Sequence, residues 1–495
     1  MTRKPKNVFA ITMALLLIAG CAVGPNFKQP AAPNVSGFTV APLSTTVGTT
    51  NVVGGQPQHF VEGIDIPGEW WTLFHSQPLN DLIESSLTNN PNIKAAQAAL
   101  LVARENVLAQ RGAYWPSATT GFSASRQGQS EVLAPTPNFP TTTAEFTYDL
   151  FTPQVSVSYV PDVFGVNRRT MESLKAQEEQ QHFALLATYI TLSANVVSAA
   201  IQEASLRAQI DATRQIIAIN TNMLQILRNQ FARGYASQLA VAAQEAQLAQ
   251  EEAALPPLLT QLDQQRNLLA VLAGSFPGED VPEKFELSSL QLPEELPVSL
   301  PSKLVEQRPD VRQAEENLHS ASAQIGIAVA NRLPNITLTA NAGSTALQLS
   351  QIFASGTGFW GIGAAATAPL FEGGTLLHKE RAARAAYTQA AEQYHSTVLT
   401  AFQNVADTLN ALEHDGDAVR TAAAAADAAK VTLEITRRQL QTGYANYLAA
   451  LSAKLAYQQA VVTLAQAQAS RYSDTAALFL ALGGGWWNRP DVSQK

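Results

Sequence analysis

Residues 166–233 read VNRRTMESLKAQEEQQHFALLATYITLSANVVSAAIQEASLRAQIDATRQIIAINTNMLQILRNQFAR, 68 positions without a glycine or a proline. A helix of that length would extend for about 100 Å, whereas helices of globular domains usually run for about 8–20 residues. Apolar residues recur every seven positions near its end, at Ile210, Ile217, Leu224 and Phe231. Because a seven-residue repeat produces left-handed coiled-coil packing, the stretch predicts a very long helix packed against another helix.

The chain then repeats this arrangement. Gly234-Tyr235-Ala236-Ser237 ends the first stretch, and Gly443-Tyr444-Ala445-Asn446 lies 209 positions later. The same offset moves the heptad onto Val419, Ala426, Leu433 and Leu440. Each glycine is expected to reverse the chain, because a tight helix-to-helix turn often needs a left-handed backbone conformation. Two long antiparallel coiled hairpins are predicted, and Pro256-Pro257 should kink or break the returning helix of the first.

Two copies of this length indicate a duplicated domain rather than a solenoid. The predicted boundaries are a signal peptide at 1–20, an extended linker at 21–66, the first repeat at 67–279, a proline-rich linker at 280–301, the second repeat at 302–485 and a C-terminal tail at 486–495. Asn90-Pro91-Asn92-Ile93 and Arg308-Pro309-Asp310-Val311, at an offset of 218, mark equivalent points in the two copies.

Each copy also contains two segments with the period of a β-strand. Apolar residues alternate with small polar ones around 118–124, 155–159, 336–342 and 360–368. Lengths near ten residues suit strands of an outer-membrane barrel, and the long polar connections, about 127–152 and 344–357, resemble extracellular loops. A soluble two-sided sheet is the alternative.

Four strands cannot close a barrel, because spanning barrels need about eight strands or more and an open edge in lipid is prohibitively costly. If these segments span a membrane, several copies of the chain must contribute strands to one closed barrel. Dimers, trimers and tetramers would supply about eight, twelve or sixteen strands, and an eight-stranded barrel fills its own interior with side chains. A barrel that serves as a duct is therefore expected to have about twelve or sixteen strands. The predicted helices and strands together indicate an α+β fold class.

The N-terminus predicts export. Basic residues within the first six positions precede an apolar run from Val8 to Gly20 that is too short to span a bilayer. The run ends directly before Cys21, the only cysteine, as in bacterial lipoprotein cleavage sites. We expect acylation of Cys21, by diacylglycerol and a fatty acid such as palmitate, to anchor the mature chain; an ordinary signal peptide is the alternative. Past residue 20, no stretch is expected to be apolar enough for a spanning helix.

Composition and motifs exclude several functions. The net charge of −8 argues against a nucleic-acid binder, and one cysteine excludes an intramolecular disulfide or a cysteine-based zinc site. Gly361-Ile362-Gly363 resembles the start of a dinucleotide-binding motif. It lies inside a predicted strand, which argues against that function. Glu316/His319 and Glu392/His395 have the spacing of metal ligands in four-helix bundles. The same residues would also be expected on solvent-exposed helix faces that bind no metal. We predict no catalytic residues, no metal and no cofactor; a metal-binding helical oxidase is the enzymatic alternative.

These residues together resemble a known family, the outer-membrane factors of tripartite efflux systems, specifically the NodT-type lipoproteins related to TolC. The motifs that carry the resemblance are Cys21-Ala22-Val23-Gly24-Pro25-Asn26-Phe27 with Pro30, then Trp71, Phe74, Leu79 and Leu82, then Arg308-Pro309-Asp310-Val311 with Ala314-Glu315, Gly326, and Ala481-Leu482-Gly483-Gly484-Gly485-Trp486. The resemblance implies a homotrimer whose twelve-stranded barrel lies in the outer membrane of a Gram-negative bacterium and continues into a periplasmic α-barrel.

The resemblance also implies partners. A periplasmic adaptor, or membrane fusion protein, would dock on Gly234, Tyr235, Ala236, Ser237, Gly443, Tyr444, Ala445 and Asn446, and an inner-membrane RND transporter would supply energy and small-molecule cargo. Relatives often carry aspartate shortly after each tip glycine, where this chain has Ala240 and Ser452. A carboxylate gate at those positions is therefore in doubt. A duct for type I secretion and a lipid-anchored helical scaffold without a pore are the alternative functions.

Overall fold

The computed structural model describes residues 22–41, 43–50, 52–129, 146–279 and 282–489. The predicted signal peptide, Cys21 and the middle of the first predicted loop lie outside the described residues.

The helices fall into two equivalent sets. Their bounds are α1 Gln77–Asn89, α2 Pro91–Arg111, α3 Val166–Ala232, α4 Gln238–Leu272, α5 Pro301–Gln307, α6 Pro309–Ala330, α7 Thr375–Gln441 and α8 Tyr447–Ala481. The long helices α3 and α7 each have 67 residues, and the returning helices α4 and α8 each have 35. The predicted duplication of a long helical hairpin is therefore confirmed.

The strands form two sheets. Their bounds are β1 His59–Glu62, β2 Ser117–Gln129, β3 Phe146–Tyr159, β4 Glu295–Val298, β5 Asn335–Ser344 and β6 Gly358–Thr367. The four predicted strand segments form one sheet in the order β2-β3-β5-β6, and all three pairings are antiparallel. Strands β1 and β4 form a separate parallel pair.

The chain divides into two compact units. The first comprises the described residues of Met1–Gln29, Leu101–Glu179 and Glu316–Glu392, and it contains the four-stranded sheet. The second comprises those of Pro30–Leu100, Gln180–Glu315 and Gln393–Lys495, and it contains both helix turns and the β1–β4 pair.

Aromatic residues from distant parts of the chain form the core of the second unit. Trp70 is fully buried and stacks on Phe479, with ring centroids 5.2 Å apart. Phe74 lies against Tyr472, and the Tyr472 hydroxyl donates to the carbonyl of Leu290 at 2.8 Å. Because each fully buried side chain of this kind contributes about 1.5–3 kcal/mol, this cluster fixes the N-terminal segment onto α8.

The predicted heptad stripe lies mostly inside the hairpins. Ile210 and Leu224 are buried, and Phe231, next to the turn, is exposed. In the second copy Val419, Ala426 and Leu433 are all buried. The apolar repeat thus packs the long helices within the chain, except where the hairpin reaches its turn.

Helix α4 contradicts the predicted break, while the predicted kink stays a prediction. It continues through Pro256 and Pro257 without a break. The two prolines lack the amides that would bond the carbonyls of Glu252 and Ala253, but all four residues are exposed. Water can therefore satisfy the two freed carbonyls.

Two further predictions need correction. Helix α3 contains an 18-residue window that is long and apolar enough to cross a membrane, contrary to the expectation that none follows residue 20. That window is 61% buried in the protein, as expected for a core helix rather than a membrane span. The first predicted loop is also too long, because β2 reaches Gln129 and β3 starts at Phe146.

The two segments interpreted as linkers pair with each other. His59 lies opposite Glu295, and Glu62 lies opposite Val298, in the parallel β1–β4 ladder. Four residues per strand are too few to give a clear alternating pattern, so nothing local indicated this pairing.

Candidate functional site: two helix turns and an open sheet

The four-stranded sheet has one apolar and one polar face. Ala118 lies opposite Val157, and Phe122 lies opposite Pro153, across β2 and β3. The same register continues to the far edge, where Ala342 lies opposite Trp360. The residues of the other face are mostly small and polar: Ser117, Thr119, Ser123, Gln154, Ser156, Ser158, Thr337, Thr339, Asn341 and Thr367. The predicted alternation is confirmed in all four strands.

Both faces of this sheet are open to solvent in a single chain. On the apolar face Trp360 is 78% and Ile362 is 81% exposed. The outer edges of β2 and β6 pair with no other strand among the described residues. A large exposed apolar face suits lipid, but two free edges do not, since each unpaired backbone group costs several kcal/mol in hydrocarbon.

The two helix turns have the same backbone geometry. Gly234 and Gly443 both adopt φ 79°, in the left-handed region. The next amide in each turn, that of Tyr235 or Tyr444, donates to the carbonyl five residues earlier, at 2.8 Å in both cases. These bonds satisfy the last carbonyls of α3 and α7, and they require a residue that tolerates positive φ.

The returning helices start with matching caps. The Ser237 hydroxyl accepts from the amide of Ala240 at 3.2 Å, and the Asn446 side-chain oxygen accepts from the amide of Ala449 at 2.8 Å. A side chain of this kind stabilises a helix start by about 1 kcal/mol. Each predicted tip residue therefore belongs to an ordered turn, in both copies.

The turns expose two aromatic rings beside open backbone. Tyr235 is 83% and Tyr444 is 87% exposed. A Cβ on Gly234 or Gly443 would meet nothing within 4 Å, so internal packing does not require glycine at either position. The turn backbone is thus accessible next to a large ring, which is a surface suited to contact with another protein.

Charge distinguishes the two turns. Arg228 on α3 forms an ion pair with Glu245 on α4, at 2.7 Å. The duplicate positions carry Arg437 and Lys454, two cations, so this pair cannot recur in the second hairpin. Neither Ala240 nor Ser452 can ionise, which leaves both positions without a gating carboxylate.

The residues next to Cys21 sit in a defined socket of the first unit. The guanidinium of Arg169 donates to the carbonyls of Val23 and Gly24 at 3.0 and 3.3 Å, and to the Asn26 side chain at 2.9 Å. Gly24 lies so close to the backbone of Gly326 that a side chain on Gly24 would not fit. The segment after the predicted lipidation site is therefore fixed at the start of α3.

The candidate metal ligands do not form a metal centre. The Nδ1 of His319 lies 3.1 Å from Glu316 and its Nε2 lies 3.4 Å from Glu172, while Phe27 stacks on the ring. Glu392 and His395 are exposed. No group of three potential ligands that could hold a metal ion occurs in the part of the chain that the structure describes.

Sequence reasoning missed the role of two of the buried arginines, Arg169 and Arg471. Arg169 is 4% exposed and Arg471 is fully buried, and each binds backbone carbonyls far away in the sequence. Each lies within a long helix, α3 or α8. The carbonyls that they bind are separated from them by more than 140 residues, so no local pattern could reveal these contacts.

The sequence matches a known family along both repeats. A model of the outer membrane efflux protein family matches residues 82–275 and 300–484. The toluene efflux pump outer membrane protein TtgF of Pseudomonas putida is 30% identical over 487 residues, which cover 97% of this chain and 96% of TtgF. The pyoverdine export outer membrane protein OpmQ of Pseudomonas putida is 27% identical over 453 residues, covering 90% of this chain and 94% of OpmQ.

Solved channels have the same fold. The MtrE outer membrane channel of Neisseria gonorrhoeae, in its open state, superposes with a TM-score of 0.79 at 25% identity, covering 94% of this chain and 99% of MtrE. The outer membrane protein VceC of Vibrio cholerae gives a TM-score of 0.73 at 26% identity, covering 86% of this chain and 100% of VceC. The chain therefore belongs to the outer membrane efflux protein family.

Proposed function

We propose that three copies of this chain form a passive exit duct of a tripartite efflux pump. The observation that carries the proposal is the two-faced sheet with two open edges. Three such sheets joined at their edges make a twelve-stranded barrel, with the apolar face toward lipid and the polar face toward water. Small molecules would leave through this lumen, driven by an inner-membrane RND transporter.

A loss-of-function experiment tests the transport role. Deleting the gene should lower the concentrations of dyes, detergents, antibiotics or metal ions that the cells tolerate, and a plasmid copy should restore them. Unchanged susceptibility across the whole panel, in cells without a second outer-membrane channel, would contradict export of small molecules. Channel conductance of the purified protein in a planar bilayer distinguishes a duct from a scaffold without a pore.

The helix turns are the proposed docking site of the periplasmic adaptor. The open backbone at Gly234 and Gly443, beside the exposed Tyr235 and Tyr444, supports this role. We expect Gly234→Leu and Gly443→Leu to abolish export while the trimer still assembles, because a bulky side chain covers the contact surface.

A third glycine supplies a matched control for backbone strain. Gly63 adopts φ 80° and also has nothing within 4 Å of its missing Cβ, but it lies outside both turns. Gly63→Leu imposes the same strain of about 1–2 kcal/mol and should leave export intact. Equal loss of export in all three variants would assign the effect to strain, and normal export in both tip variants would refute docking at the turns.

Acylation of Cys21 is the proposed membrane anchor. The socket around Arg169 supports it, since it fixes residues 22–26 directly after this cysteine. Cys21→Ser should lose incorporation of labelled palmitate and retain the uncleaved signal peptide. Labelling of the Cys21→Ser protein at the wild-type level would exclude this site.

A further inference from the structure

A cavity of about 470 Å³ lies beside the last helical turn of the described chain, at Trp486–Asn488. Three separate parts of the chain form its wall: the loop after β1, the residues in and just before α5, and the two tryptophans of the last turn. All of them belong to the second unit, so the cavity is a feature of that unit alone. Its volume is typical of sites that bind small organic molecules.

Two tryptophan rings are held rigidly in the wall. The Nε1 of Trp486 donates to the carbonyl of Gln307 at 2.7 Å, and the Nε1 of Trp487 donates to the carboxylate of Asp65 at 2.8 Å. The two rings are half-buried, and their planes are nearly perpendicular, at 82°, with centroids 6.0 Å apart. Because the polar edge of each indole already bonds within the protein, the rings offer a ligand only their apolar faces.

Polar side chains of α5 line the cavity beside these rings. Lys303 and Glu306 are exposed, and their side chains form no hydrogen bond or ion pair with the described residues. Gln307 also lines the cavity, and its side-chain oxygen is buried and accepts no hydrogen bond within the described chain. Buried acceptors of this kind normally have a donor. The wall therefore combines apolar ring faces with a free donor and free acceptors.

The charges of the wall favour a neutral ligand. Asp65 and Glu306 would repel a phosphate or another anion. Aromatic rings can attract a cation, but the ammonium group of Lys303 in the same wall opposes it. A sugar ring has the matching chemistry: its C–H groups form an apolar face that packs on an aromatic ring, and its hydroxyl groups both donate and accept hydrogen bonds.

We propose that this cavity binds the N-acetylated amino sugars of the cell-wall glycan. The chain belongs to a family of outer-membrane channels, and the second unit contains none of the strands of the four-stranded sheet. The sugar polymer next to the inner side of the outer membrane is the cell wall, which is built from amino sugars. Binding there would fasten the channel to the wall. The inference depends on neither the helix turns nor the export of small molecules.

Sedimentation with isolated cell walls tests the proposal. The purified full-length protein, in a mild detergent, is mixed with sacculi that have been stripped of their own proteins, and the bound fraction is measured after centrifugation. We expect the protein to sediment with the sacculi, and a soluble tetramer of N-acetylglucosamine to release it. Release by the tetramer shows that the sugar chain, rather than the peptides of the wall, is recognised.

Variants locate the binding in the cavity. Trp487→Ala removes one ring face and should weaken binding about tenfold. Combined Lys303→Ala and Glu306→Ala should also weaken it, and the fold should not change because both side chains are exposed and make no internal bond. Trp115→Ala is the control, since this ring is 76% exposed and lies outside the cavity. It should bind as the wild type does.

Three results would overturn the proposal. The first is a wild-type protein that does not sediment with sacculi, even if it binds the free tetramer. The second is binding of equal strength in the wild type and in both cavity variants, with melting temperatures showing that all are folded. The third is tighter binding of choline or inorganic phosphate than of the tetramer, which would assign the cavity to an ion instead of a sugar.

Discussion

At the scale of single residues, buried charges with distant partners hold the helical unit together. The side chain of Glu203 on α3 is fully buried and pairs with Arg207 at 2.5 Å and with Arg266 on α4 at 2.9 Å. Breaking a buried pair from one side leaves the other charge uncompensated, which commonly costs about 3–5 kcal/mol. The pair with Arg266 therefore joins α4 to α3, in addition to the apolar contacts of the heptad.

Glu203→Gln should destabilise the protein by about 3 kcal/mol, because Arg207 and Arg266 lose their shared negative charge while the packing volume stays the same. Chemical denaturation in mild detergent measures the change in free energy of unfolding. Glu252→Gln on exposed α4 surface is the control, with an expected effect within about 0.5 kcal/mol. Similar stability of both variants would show that the Glu203 pairs contribute nothing beyond surface interactions.

The pH dependence of stability follows from Asp415. Its pKa rises from 3.8 to about 7 in the folded protein, so protonated Asp415 stabilises the fold. This contribution is fully present below pH 3.8 and is lost as the pH rises toward 7. Asp415→Asn stays neutral, so thermal unfolding should be identical to wild type near pH 4 and occur at higher temperature than wild type at pH 8. An equal or lower melting temperature of the variant at pH 8 would contradict the raised pKa.

At the scale of elements, the two hairpins differ mainly in α4. Helix α4 contains two adjacent prolines, and α8 has none at the equivalent positions. Proline inside a helix removes a backbone hydrogen bond and costs about 3 kcal/mol, less where water reaches the freed carbonyl. We therefore expect this part of the first hairpin to be less stable than the equivalent part of the second.

Replacing Pro256 and Pro257 by alanine should raise the melting temperature, because two backbone donors return to α4 and helix propensity improves. The equivalent positions on α8 hold no proline, so a substitution there would restore no backbone hydrogen bond and should not raise the melting temperature. Differential scanning calorimetry of the double variant measures the effect. A lower melting temperature would indicate that the prolines impose a bend that packing requires.

Elements with a strong local period could be predicted from the sequence, and those set by distant contacts could not. The absence of glycine and proline from 166–233 identified α3, and period-two alternation identified four strands. The 209-residue offset located both turns. Strand β1 was missed because its four residues depend on β4, more than 230 positions away. The contacts of Arg471 with Thr46, Gly54 and Gln56 were missed for the same reason.

At the scale of the whole molecule, one chain supplies a third of the strands of the proposed barrel. Its sheet has two unpaired edges among the described residues, and its apolar face is exposed. The apolar face suits lipid, but the unpaired edges cost free energy there unless neighbouring copies pair them. The requirement for several copies thus follows from the strand count and the register, and the number three belongs to the proposal.

Native mass spectrometry of the protein, extracted from outer membranes in a mild detergent, measures the number of copies directly. The account predicts a trimer that resists dissociation, with twelve strands closed into one barrel. A particle that holds a single chain and retains the native helical and strand content would contradict it, because four strands would then have to be stable in a bilayer with both edges open.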